Sequence, residues 1–289
     1  MKRVVRMLML MAALCAATWS APAAAQGKAP AAADQFAMVK MDDGRLLAPD
    51  IARIINRGEL VVSMMNADNP PFFSINKKGE LVGTDVDLSK LIAKELGVPV
   101  RFDRSAKTFD AVAEVVAAGQ ADLGISRLAR TLKRGQMVHF SSTYMRLGHA
   151  LLINRIRFAE LAGDQPLAQV VRNFTGTIGV IANSSWVEFG RRNFPNAKLV
   201  TFPTWAEAVN AAKTGQVVAA YRDEMEVLQF VNNDPSLALT LRTVTFSDLE
   251  SPLSAMVGVR DLTLLSFVNE VIAQRADKPT VSSVLKSIK

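Results

Sequence analysis

The chain has 289 residues, nearly half of them apolar, with a formal net charge of +7, two histidines and a single cysteine. That length and apolar content can build a sizeable core and exclude a disordered chain. The positive charge is modest and comes without a long basic stripe interleaved with aromatics, which argues against a nucleic-acid binder.

The first residues bear on the compartment. Lys2, Arg3 and Arg6 precede an apolar run from Met7 to Trp19, and Ala21-Pro22-Ala23-Ala24-Ala25 supplies small residues before Gln26. This is the pattern of a cleavable secretory signal over residues 1–25, and it predicts export. The run is too short for a membrane span, and no other stretch of about 18 apolar residues exists. Cys15 lies inside this segment and follows Leu14, where a lipid-attachment site wants a small residue. The mature chain is therefore expected to carry no disulfide and no thiol chemistry. Residues 26–50, rich in Ala, Pro and Gly, read as a flexible leader.

From there strands and helices alternate. Residues 51–57 form a short helix ended by Gly58, followed by the buried strand ELVVSMM. FFSIN pairs with LVGTDV across the turn KKGE. Asp87 is placed to cap the helix LSKLIAKEL, which Gly97 ends. VPVRFDR is a strand, residues 109–118 a helix closed by Gly119, and ADLGIS a second buried strand. RLGHALLINR is extended. TIGVIA, SSWVEFGRRNF, AKLVTF, TWAEAVNAAKTG and VVAAY then alternate strand and helix, and LLSFVNEVIAQRA is the final helix. Such alternation predicts an α/β fold with a largely parallel sheet.

The loop RLARTLKR after ADLGIS carries Arg127, Arg130 and Arg134. Open α/β sheets bind ligands at the carboxyl ends of their strands. The planar guanidinium fork suits two parallel hydrogen bonds to a carboxylate. A solvated basic loop is the plainer alternative.

The spacing Asp122, Ser126, Leu128, Thr131, Arg134, followed by Phe140-Ser141, resembles the signature of family 3 periplasmic solute-binding proteins, the amino-acid receptors of ABC importers. RGELVVSM, NPPFFSINKKGELVGTDVDLSKLIAKELG, TGTIGVIANSSWVE and GQVVAAYRDEMEVL occur in the order this family uses. The resemblance implies a two-lobed type II periplasmic-binding-protein fold, its ligand cleft lying between lobes joined by two crossing strands. Lobe one would hold residues 51–147 and 249–289, and lobe two residues 148–248, the chain crossing back near Asp248 to Met256. It also implies a monomeric, non-enzymatic receptor without cofactor or metal, whose partners are a small-molecule ligand and the importer's membrane subunits.

Residue by residue, the resemblance gives Arg134 the ligand carboxylate and Asp223, from the opposing lobe, the ammonium. Asp223 also reads as a plain helix cap before EMEVL. The side-chain pocket would involve Asn66, Asn69, Phe72 and Phe109, the last equally suited to the core. Ser184 and Ser185 stand at a helix N-terminus, where free amides favour an anion, and where an ordinary serine cap would also stand. Two positions depart from the family pattern. Ala129 replaces a serine and offers only its backbone amide. Arg127 replaces another and adds a cation suited to a ligand with an extra acidic group or without an amine.

Two other functions share this pattern. Cyclohexadienyl dehydratase is an enzyme of the same fold, but its asparagine-rich loop appears here only as Ala182-Asn183-Ser184-Ser185. Neither His139 nor His149 sits in a sequence arrangement typical of hydrolases. A sensory receptor acting through a membrane partner is the third possibility.

Overall fold

Residues 37–276 are described by a computed structural model. The expected signal, Cys15 and residues 26–36 of the expected leader lie outside them. Ala37 apart, the described residues belong to one compact unit. Part of the expected leader is structured: β1 (Val39–Lys40) pairs antiparallel with β2 (Leu46–Leu47). Helix α1 (Pro49–Arg57) begins on a proline, whose fixed φ suits a first helical turn, and ends at Gly58 with φ 80°.

Strand β3 (Leu60–Ser63) is fully buried, and β4 (Ser74–Ile75) pairs with β5 (Leu81–Val82) across the predicted turn. Helix α2 (Thr84–Leu96) starts earlier than its sequence suggests. Gly83, not Asp87, is its N-cap, with φ 130° and so close to the chain that a Cβ would lie 2.3 Å from the Phe72 carbonyl oxygen. Asp87 falls inside the first turn, its N–H donating to Gly83 O.

Strand β6 (Val100–Asp103), helix α3 (Phe109–Ala117) and strand β7 (Leu123–Gly124) complete the first half. A 3₁₀ turn (Arg134–Gln136) leads into the 17-residue β8 (Val138–Asn154). Helices α4 (Arg155–Ala162) and α5 (Leu167–Arg172) follow, where the sequence reading places none. The second half then runs β9 (Thr177–Ile181), α6 (Ser185–Asn193), β10 (Lys198–Phe202), α7 (Trp205–Lys213), β11 (Ala219–Asp223), α8 (Glu224–Asn233) and α9 (Leu237–Thr240). The 18-residue β12 (Leu241–Gly258) returns to the first half, and α10 (Leu262–Gln274) packs there.

One eight-stranded sheet has the order β10-β9-β11-β8-β12-β7-β3-β6. Its flanks are parallel: β3 with β6 and β7, and β9 with β10 and β11. In its centre β8 and β12 pair antiparallel with each other, from Val138↔Gly258 at one end to Asn154↔Leu241 at the other. These are the two crossing strands expected of the fold. Their register slips between Phe246 and Glu250, opposite His149 and Gly148, where the chain passes between the halves.

The period-2 alternation of β8 divides the core. Ala150 and Leu152 face α7 and α8, packing with Trp205, Val209 and Val227. Leu151 and Ile153 face the opposite side with Phe158, Val170 and Phe189, from α4, α5 and α6. In the first half, α1, α2 and α10 cover one face through Ile54, Ile92 and Val268, and α3 covers the other through Val112 and Val116. Burial on both faces explains why these strands read as continuous apolar runs.

Candidate functional site

Most of the signature residues build a scaffold. Asp122 accepts a hydrogen bond from Val61 N at 2.9 Å and pairs with Arg57 and Arg53, tying α1 to the sheet. Ser126 Oγ accepts from Met65 N at 3.0 Å, Thr131 Oγ1 from Arg134 N at 3.2 Å, and Ser141 Oγ from Ala255 N at 2.9 Å. Together they fix the loop between β7 and β8 and aim Arg127 and Arg134 toward the space between the halves.

Arg134 is 1 % exposed. Its Nε and Nη2 donate to Asp110 Oδ1 at 3.0 and 2.8 Å, and its Nη1 donates to the Ala129 carbonyl at 2.8 Å. Asp110 is shared with Lys133, whose Nζ lies 2.7 Å from Oδ2. Burial pulls the Arg134 guanidinium below its ordinary pKa, and the Asp110 charge offsets this only in part.

Asp223 arrives from the other half at the end of β11. It is the N-cap of α8, accepting from Glu226 N at 2.9 Å, so the plain capping role holds. It also pairs with Arg127 Nη2. Arg127 Nη1 donates to Asn69 Oδ1 and to Glu226 Oε2, both at 2.6 Å, and the guanidinium lies 4.7 Å over the Phe72 ring. Burial opposes the Arg127 charge, but Asp223 and Glu226 more than compensate and hold its pKa above the ordinary value. Glu226 is held well below the usual carboxylate range: burial opposes its charge, and Arg222 and Arg127 outweigh it.

The backbone is strained at the same place. Among the described residues the non-glycines with positive φ are Arg127, at 51°, and Asn183, at 50°. Arg127 N donates to Asp85 Oδ2, and Asn183 O accepts from Asp110 N at 3.1 Å, so both positions are pinned at the cleft. Leu132 N and Lys133 N donate to Glu188 of α6 at 2.9 and 3.2 Å, a further bond between the halves.

Two cavities share Phe109 and Arg222 as walls. The inner one, about 20 Å³, is also lined by Arg127, Ala129, Arg134, Ser185 and Asp223. The outer one, about 340 Å³, has Asn69, Trp205, Glu226 and Phe230 among its walls. The expected site residues therefore largely converge, with three exceptions. Asn66 is exposed and lines neither cavity, its carbonyl being held by Arg104 Nη2 at 2.7 Å. Phe72 is fully buried and acts through Arg127. Ser184 is the N-cap of α6, its Oγ donating to Ile181 O at 2.7 Å, and it faces a separate cavity of about 360 Å³ beside Lys133. Ser185 is the member of the pair that reaches the inner cavity.

Sequence reasoning missed Asp110, Arg222, Glu226 and a buried polar chain. Arg222 and Glu226 lie on either side of Asp223 in AAYRDEMEVL, and that run of charges was the available signal. His149 bonds Ser251 Oγ through Nε2 at 2.6 Å and Tyr221 OH through Nδ1, and Asn193 Nδ2 donates to Tyr221 OH at 2.8 Å. A Ser–His contact thus exists in space where sequence spacing hid it. Its third member is a phenol rather than a carboxylate. Burial lowers the His149 pKa to about 4, so the ring is neutral near pH 7.

Comparison with known proteins places these features in context. The profile of the bacterial extracellular solute-binding proteins, family 3, matches residues 61–286. The ABC transporter arginine-binding protein 1 of Escherichia coli K12 is 24% identical over 184 residues, covering 63% of this chain and 70% of that protein. The structure of the amino-acid ABC transporter substrate-binding protein AbpA from Streptococcus pneumoniae, bound to L-arginine, has a TM-score of 0.64. It is 25% identical and covers 82% of this chain and 96% of that one. The ancestral amino acid-binding protein AncCDT-1, a precursor of cyclohexadienyl dehydratase, also has a TM-score of 0.64 at 25% identity, covering 82% and 97%.

Proposed function

The chain belongs to the bacterial extracellular solute-binding proteins of family 3, and from that premise we propose that it captures an amino acid or related small carboxylate between its two halves and delivers it to an ABC importer. The observation that carries this reading is the buried Arg134 facing a cavity that both halves wall, with Asp223 and Ser185 opposite. Arg134 anchors the ligand carboxylate. The amide end of α6 at Ser185 adds partial positive charge beside it. Among the described residues the lobes are residues 51–147 with 249–276, and residues 148–248, their boundaries falling in β8 and β12; residues 277–289 of the expected first lobe lie outside the described residues. Ligand bridging them favours the closed arrangement and so shifts the population toward it.

Capture fits the site better than catalysis. The His149 ring is hydrogen-bonded to Tyr221 and Ser251 rather than to a carboxylate, and burial outweighs the Asp223 charge and resists its protonation. The periplasm follows from the family and from the signal pattern at residues 1–25. A monomer working with membrane permease subunits is the corresponding assembly.

A thermal-shift screen of protein refolded free of carried-over ligand tests the reading. A ligand at a hundredfold its Kd stabilises by about 2.7 kcal/mol, and at least one small carboxylate is expected to do so. Arg134→Ala is expected to abolish that shift. Retention of the shift in this variant overturns the anchor.

A further inference from the structure

The relatives compared above bind, by name, arginine and other amino acids, yet in this chain the acid expected to hold an ammonium is already occupied. Arg127 presents its guanidinium to Asp223 and Glu226, is bonded by Asn69, and is stacked on Phe72. Its side chain is 4 % exposed. An α-ammonium reaching Asp223 would have to displace this buried, hydrogen-bonded cation. The left-handed backbone at Arg127, fixed through Asp85, turns the side chain into that position.

Arg222 is the converse case. Its side chain is equally buried, yet among the described residues its Nε has no hydrogen-bond partner. The nearest carboxylate oxygens, Asp223 Oδ2 and Glu226 Oε2, stand 3.5 and 3.4 Å away, long for hydrogen bonds. Its guanidinium lies 5.5 Å over Trp205 and lines both cavities. A buried polar group left without a partner is costly, and a buried cation more so. Arg134 spends three of its five N–H donors on Asp110 and Ala129. Only one carboxylate, Asp110, meets it, whereas Arg127 is met by both Asp223 and Glu226. Arg134 and Arg222 thus flank one small cavity with donors to spare, while Arg127 has filled the cation site.

We propose, building on the capture reading, that the ligand is a small organic acid with two anionic groups and no amine. One group is bound by Arg134 near Ser185, and the other by Arg222 at the mouth of the outer cavity. Arg127 is the specificity-determining residue, an internal substitute for the ammonium of an amino acid. Burial lowers the pKa of Arg134 and of Arg222 despite the acids beside them, whereas Arg127 is raised, and this contrast agrees with the geometry.

The test is calorimetric titration of the full mature protein, refolded free of ligand, with probes matched in pairs. Succinate and L-aspartate differ by the amine, as do glutarate and L-glutamate; butyrate and valerate lack the second acid. Expected is binding of at least one dicarboxylate more than tenfold tighter than its amino counterpart and than either monocarboxylate. Arg222→Gln, checked for an unchanged melt, should lose that preference over monocarboxylates. Tighter binding of the L-amino acids overturns the inference but leaves the capture reading standing. Equal binding of mono- and dicarboxylates removes Arg222 from the site. Silence across this panel and across the twenty common L-amino acids overturns both.

Discussion

Arg127 and Arg222 are buried equally, lie on opposite sides of the cleft and share Asp223 and Glu226, yet their environments differ sharply. Arg127 is bonded to Asn69, Glu226 and Asp223 and stacked on Phe72. Arg222 has Coulomb attraction at 3.4 to 3.5 Å and a Trp205 face beneath it. Burial alone therefore does not identify a ligand-binding cation. What separates the two is whether the donors are already filled, since an ion pair in a low-dielectric site holds only when hydrogen bonds complete it.

That comparison can be broken by truncation. Arg127→Ala strips two buried carboxylates of a hydrogen-bonded partner and is expected to cost about 3–5 kcal/mol in urea denaturation. Arg222→Met removes a cation that meets its acids only at 3.4 to 3.5 Å, while Arg127 still pairs both of them, so its cost should be clearly below that of Arg127→Ala. A comparable loss in both would erase the distinction. Arg134→Ala should weaken ligand binding by about a hundredfold or more, as for loss of a buried charged anchor, with a smaller effect on the melt because Lys133 still pairs Asp110.

Protonation sharpens the picture at an intermediate scale. Burial raises the Asp85 carboxyl to about 7, above its ordinary 3.8, despite the Arg127 amide donating to it. The folded state thus holds this proton longer than the unfolded chain, and stability is lost as pH rises from about 4 to 7. His149 acts in the opposite sense: burial lowers it from 6.5 to about 4, so its contribution is complete above 6.5 and is lost as pH falls toward 4. The two slopes offset in the parent protein. In Asp85→Asn stability should rise by about 2 kcal/mol from pH 4 to 6.5, and in His149→Gln it should instead fall with rising pH. Parallel pH profiles for the two variants would contradict these assignments. The smallest effect is expected of Asn66→Ala, which should leave ligand affinity within about twofold, because Asn66 is exposed and outside both cavities. A tenfold loss would return it to the site.

The fold was legible because its strands are buried on both faces and its helices end on glycine, as at Gly58 and Gly97. Helix α2 was misplaced because the cap is a glycine chosen for its closeness to Phe72, which propensity does not reveal. At the site, Arg134, Asp223, Ser185 and Phe109, which motif spacing singles out, line the inner cavity together. Asp110, Arg222 and Glu226 were not singled out, because their roles arise from pairings across the cleft: Arg127 and Glu226 stand 99 residues apart in sequence and touch in space. His149 and Ser251, 102 residues apart, were hidden for the same reason. Arg127 was visible as a departure from the family pattern, but its meaning required knowing which acid it meets.

The most direct test of the account is the ratio of affinities for glutarate and L-glutamate in the parent and in Arg127→Ser, measured on folded protein by calorimetry. Freeing Asp223 and Glu226 should make them available to an ammonium, so the ratio should shift by at least tenfold toward L-glutamate, a gain that general destabilisation cannot produce. An unchanged ratio would mean that Arg127 does not stand in for the amine, and the central claim would fall.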